Sequence, residues 1–107
     1  MFNNFGLQEK RYVIHCETQE EYNKLMKYLE KNSFIWHDTT LPTQDNNWKR
    51  YKELTCIDIT YEQFWNKFKN KYDIGYCDIN YATSDHIIII PFKQIEHVIV
   101  FAPRYIE

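Results

Sequence analysis

The sequence predicts an α+β domain of ferredoxin-like type. That fold is a βαββαβ antiparallel sheet with two amphipathic helices on one face, here extended by one or two C-terminal strands. Three observations predict it. Apolar residues recur at helical spacing in two separate stretches, residues 18–29 and 60–72. Short alternating or aliphatic runs flank both stretches. The two halves repeat one order: a strand bearing a cysteine, a capping threonine, a helix, and an aromatic strand. Two such units in tandem suggest the split β-α-β arrangement.

Each element has a local reason. Residues 1–10 are polar, carry Gly6, and read as a loose arm. Residues 11–17, RYVIHCE, alternate as a strand with Tyr12, Ile14 and Cys16 on one face. Thr18 followed by Glu21 is a capping box, which satisfies two orphan amides at a helix start. Tyr22, Leu25, Met26 and Leu29 then form one apolar stripe. Asn32 and Ser33 end the helix, and Phe34, Ile35 and Trp36 open a second strand.

Residues 37–52 read as a long polar loop with Pro42 and an Asp-Asn-Asn cluster. Residues 53–59, ELTCIDI, read as a third strand with Thr55, Ile57 and Ile59 on one face. Thr60 and Gln63 make a second capping box, and Tyr61, Phe64, Trp65, Phe68 and Tyr72 a second stripe. Residues 73–81 follow as a strand after a turn at Gly75. Residues 82–85 turn, and HIIIIPF (86–92) is a buried strand by its aliphatic run. A last strand covers residues 97–103 and stops at Pro103.

At 107 residues the chain reads as one domain spanning 1–107, and its 44% apolar and 18% aromatic content fills a core without staples. The net charge of -2 provides no global field for nucleic acid. Three cysteines cannot all pair within one chain, and no secretory leader precedes them, so they read as thiols of a reducing compartment. The longest aliphatic run, residues 87–90, is far too short to span a bilayer. The expectation is a cytoplasmic protein with no membrane partner. Ile, Lys, Asn, Tyr and Phe supply 48 residues, whereas Ala, Gly, Pro and Arg supply 10. The first set uses A/T-rich codons, which suits a low-GC bacterium, its phages or its mobile elements.

No motif points to catalysis. The sequence has no C-x-x-C, H-x-x-x-H or H-E-x-x-H spacing, and His15 and Cys16, as strand neighbours, point to opposite faces. Cys16, Cys56 and Cys77 read as small buried apolar residues. A Cys–His pair assembled from these and His15, His86 or His97 has no local support. With only Gly6 and Gly75, no loop is built to cradle phosphate. The acid pairs Glu20/Glu21 and Asp58/Asp78 read as helix cap and strand surface. The reading is a non-enzyme with no cofactor and no metal.

The binding candidates are WKRYK, comprising Trp48, Lys49, Arg50, Tyr51 and Lys52, and the aromatics Trp36, Tyr76 and Tyr81 of an open sheet face. Read as a strand lead-in, WKRYK puts Trp48, Arg50 and Lys52 in one exposed row and Tyr51 on the buried side. Trp and Arg are enriched at protein–protein hot spots. Aromatic rings beside cations also suit single-stranded nucleic acid, but no RNP pattern occurs, and Asp45, Glu53 and Asp58 dilute the field.

Residues 11–59 resemble a type of small accessory protein found in phages and mobile elements of low-GC Gram-positive bacteria. The resemblance is carried by YVIHCET, the helix QEEYNKLMKYLEKN, the following FIW and a later TCI. It departs after Ile59, at the second helix and the IIII strand. It implies origin and carries no activity or site residue. The expected function is binding and modulation, most simply inhibition, of a host or competing-phage protein, in a counter-defence role. The alternative is a nucleic-acid- or nucleotide-binding module using WKRYK. A homodimer is compatible with both.

Overall fold

A computed structural model describes residues 11–59, 71–82 and 86–96. It is a mixed α+β structure. Strands β1 (Arg11–Cys16), β2 (Phe34–Trp36), β3 (Thr55–Asp58), β4 (Tyr72–Asp78) and β5 (Ile87–Pro91) form one sheet in the order β2-β4-β3-β1-β5. Helix α1 (Gln19–Lys31) crosses one face, and two short helices, α2 (Trp48–Tyr51) and α3 (Phe92–Ile95), pack at its margins. The loose arm at 1–10, most of the second helix, the turn at 83–85 and the strand at 97–103 lie outside the described residues.

Helix α1 follows its local signals. The Thr18 side chain accepts the Glu21 amide at 3.1 Å, as the capping box requires. The Glu21 carboxylate reaches back one residue further than the motif implies and accepts the Glu17 amide at 2.9 Å. Asn32 caps the C-terminus, and Ser33 turns the chain with φ 70. The predicted stripe faces the sheet: Tyr22, Leu25, Met26 and Leu29 are all buried, against Ile14, Cys16, Ile57, Ile74, Trp36 and Phe92. Each large side chain so buried contributes about 1.5–3 kcal/mol.

The sheet departs from the expected ferredoxin-like pattern. β1–β3 and β3–β4 are antiparallel, but β1–β5 and β2–β4 are parallel. β4 sits between β3 and β2, so two strands separate β1 from β2. Alternation determines which side chains share a face; it does not determine which strand lies alongside. Further boundaries move with it. Tyr72, expected on the second helix, instead opens β4 opposite Phe34, with the rings 5.5 Å apart. Residues 79–81 leave the sheet as a 3-10 turn, and Phe92 opens α3. Tyr12 shares the face of Ile14 and Cys16 but lies 39% exposed, beyond the core that α1 covers.

The opposite face carries its own apolar cluster. Val13, Cys56 and Ala82 are buried there, with Cys77, Ile79, Ile87 and Ile89 packed around them. Polar groups on this face are paired: Arg11 with Asp58, whose side chain is nearly buried, and His37 Nδ1 with buried Asp73 at 3.4 Å. No helix among the described residues is long and apolar enough to cross a membrane.

Candidate basic turn and aromatic ladder

The polar segment 37–52 is a strap tied to α1 through residues 43–47. Thr43 donates through its amide (2.9 Å) and hydroxyl (2.6 Å) to Glu30 Oε1. These bonds, hydroxyl first, hold the Glu30 carboxyl below its ordinary value. The Tyr22 hydroxyl donates to the Asp45 carbonyl and accepts the Asn47 amide, both at 2.9 Å. Burial is the main cause that pushes this phenol up to about 12. Gln19 and Asn46 exchange amide hydrogen bonds at 3.1 and 2.9 Å.

WKRYK comes at the end of this strap, and it is helical, not extended. Asn46 Oδ1 accepts the Trp48 amide at 3.2 Å, and the chain coils into α2 and then a 3-10 turn at Lys52–Leu54. The alternating row expected of Trp48, Arg50 and Lys52 therefore does not form. Trp48 turns inward: its indole N–H donates to the Cys16 carbonyl at 3.0 Å, and its ring packs at the core margin. Lys49, Arg50 and Lys52 remain exposed. Lys52 sits at φ 51, ψ -126, backbone that glycine adopts freely and that a Cβ makes costly. Beyond it, His15 Nε2 lies 2.7 Å from the Glu53 carbonyl.

The predicted aromatics divide between two places. Trp36, expected on an open face, is 3% exposed, because β2 turns it under α1, and its indole points at the Pro42 carbonyl, 3.4 Å away. Tyr76 stands edge-on to it, with centroids 5.7 Å apart. Tyr51 lies 6.0 Å from Tyr76, and the Arg50 guanidinium sits 5.7 Å above the Tyr51 ring. The result is a ladder, Trp36–Tyr76–Tyr51–Arg50, running from the core to an exposed cation. Tyr81 does not join it. It is 75% exposed, in the turn whose Ile79 and Ala82 pack on the other face.

Sequence reasoning missed the anchors: Tyr22, Gln19, Asn46 and the Cys16 carbonyl. Asn46 and Asn47 immediately before Trp48 were the available signal, since Asn favours helix starts. Other candidate chemistry is weakly provided for. Burial pushes the Cys16 and Cys77 thiols up, and the Cys56 thiol to about 12, so each holds little thiolate near neutrality, and none has the activated character of a catalytic cysteine. Among the described residues no group of three or more His, Cys, Asp or Glu is placed to hold a metal ion. A hollow lined by Lys27, Glu30, Lys31 and Thr43 is open to solvent, and its carboxylate is already engaged by Thr43.

No protein-family model, curated protein or solved structure matches this chain. The fold and the site therefore define it only as a small α+β protein with a mixed five-stranded sheet and an anchored basic turn.

Proposed function

We propose that this protein is a non-catalytic binding module of phage or mobile-element origin. It docks on an acidic surface of a host or competing-phage protein and inhibits it, in a counter-defence role. The observation that carries this reading is the basic turn. Lys49, Arg50 and Lys52 are exposed within four residues, while Trp48 before them bonds inward and Tyr51 among them packs near Tyr76. Cations on a turn whose backbone is already tied through Asn46 and Trp48 leave less loop freedom to be lost when a partner binds, which favours affinity. Strained backbone such as that of Lys52 clusters at functional sites. The origin is supported by the excess of amino acids that A/T-rich codons encode and by the accessory-protein resemblance of residues 11–59.

The same geometry disfavours nucleic acid as the ligand. Single-strand binders stack bases on free aromatic faces beside cations. Here the Trp48 ring packs inward, and Tyr51 is approached by Arg50 on one hand and Tyr76 on the other. The test is retention of proteins from a low-GC host by immobilised wild-type chain and by a Lys49→Glu/Arg50→Glu/Lys52→Glu variant. The expected result is a protein retained at fixed stoichiometry by the wild type alone. Retention unchanged by the charge reversal would overturn the reading. So would salt-sensitive binding of single-stranded nucleic acid with no protein partner.

A further inference from the structure

The second apolar cluster sets two thiols opposite each other. Cys56 on β3 and Cys77 on β4 are direct partners across an antiparallel pair, so both side chains project from the same face. It is the face of Val13 and Ala82, away from α1. Cys16 belongs to the other face, buried in the core beneath α1.

The separation of the pair follows from the hydrogen-bond pattern. The Ile59 amide donates to the Tyr12 carbonyl at 3.2 Å, and the β1–β3 register puts these two residues opposite each other. Bonded and non-bonded pairs alternate along an antiparallel ladder. Ile57 therefore turns its backbone groups toward β1, whereas Cys56 and Asp58 turn theirs toward β4. Cys56 and Cys77 are a hydrogen-bonded pair, with α-carbons about 5.5 Å apart. Disulfides span α-carbons about 4.4–6.8 Å apart. The α-carbon spacing fits a disulfide, while the β-carbons of a facing pair stand about 4.5–5.5 Å apart against the roughly 3.5–4.5 Å that a disulfide spans, so closing the bond draws the two strands together at this point.

We propose that Cys56 and Cys77 are a cross-strand dithiol, a modification site that low-molecular-weight disulfides oxidise to an intramolecular disulfide while Cys16 stays a thiol. Cys77 is the point of entry, because it is half-buried whereas Cys56 is fully buried. Cys77 gives its proton to water, and its thiolate attacks one sulfur of the oxidant. A mixed disulfide forms, and the other half of the oxidant leaves with the bonding electron pair and takes up a proton. The Cys56 thiolate, its proton likewise lost, then attacks the Cys77 sulfur and expels the second small thiol. The protein gives up two protons and two electrons, and the oxidant takes up both to become two thiols.

Burial, the largest cause for both thiols, keeps the thiolate fraction low, so exchange is slow near neutrality and quickens as pH rises. The neighbouring charges act on Cys77 in opposite senses: Asp58 and Asp78 raise it further, and Arg11 lowers it. Once formed, the bond closes the chain between residues 56 and 77 and narrows the unfolded ensemble. The inference is independent of the binding role of the basic turn.

The experiment treats the native full-length chain with oxidised glutathione, quenches with acid and digests without reduction. The expected product has lost two hydrogens and yields one linked peptide pair containing Cys56 and Cys77. Its denaturation midpoint exceeds that of the reduced chain. Cys77→Ser abolishes the product and Cys16→Ser does not. A glutathione adduct on Cys77 that never resolves would overturn the proposal, as would a disulfide involving Cys16 or the absence of any reaction. The wild-type peptide map decides the matter even where a variant fails to fold.

Discussion

Lys52 holds a conformation that its own side chain opposes. Its φ of 51 lies where a Cβ crowds the backbone. Lys52→Gly relieves that crowding and is predicted to raise stability by about 1 kcal/mol in urea denaturation, while weakening partner binding. A loss of stability would mean that the Lys52 side chain, not the turn, is the anchor. Trp48→Phe keeps a ring but removes the N–H that meets the Cys16 carbonyl, and is predicted to lower stability by about 1 kcal/mol by the same assay. The buried thiols make stability depend on alkali. Desolvation lifts Cys56 from 9.0 to about 12, so the folded chain keeps a proton that the unfolded chain releases. This contribution is fully present below pH 9.0 and falls as pH rises toward 12. Urea midpoints at increasing pH should therefore fall more steeply for the wild type than for Cys56→Ser. At this scale alternation was a good guide for Ile14, Cys16 and Ile57. It failed at WKRYK, where five residues are too few to separate a strand from a short helical turn, and the inward pull on Trp48 comes from a carbonyl 32 positions away.

Helix α1 was legible because its instructions are local. Thr18, the apolar stripe and the Asn32–Ser33 stop all act within a few residues. Thr18→Ala removes the bond to the Glu21 amide and should cost about 1 kcal/mol, measured by urea denaturation followed by circular dichroism. The strap from Pro42 to Tyr51 was read only as a polar loop. Its order comes from Glu30, Tyr22 and Gln19, which belong to α1 and lie 13 to 27 residues away in sequence. Since Thr43 holds the Glu30 carboxyl below 4.5, that link contributes above the ordinary carboxylate value and is lost as pH falls through the lowered one. Proteolysis within the strap should accelerate in acid before α1 unfolds, and Glu30→Gln should remove that pH dependence. A cleavage rate flat across acid pH would count against the tie.

Across the whole molecule the sheet order was the least legible feature. Pairing of β4 between β3 and β2, and of β5 alongside β1, joins segments far apart in sequence, and no local pattern encodes which edge a strand meets. The α+β class survived this because it depends only on the mixture of periods along the chain. The proposed partner is read from the turn alone. Three exposed cations on an anchored turn suit an acidic complement, but the identity of a partner is a property of two surfaces, not one. With a net charge of -2 the chain has no global positive field, so the binding proposed for the turn should weaken with salt.

Size-exclusion chromatography with light scattering, followed by mass spectrometry of the peak, compares wild type with the Lys49→Glu/Arg50→Glu/Lys52→Glu variant, each mixed with lysate of a low-GC host. The account predicts a stoichiometric protein complex with the wild type and free, folded chain with the variant. Equal complexes for both, or a wild-type peak carrying nucleic acid alone, would contradict it.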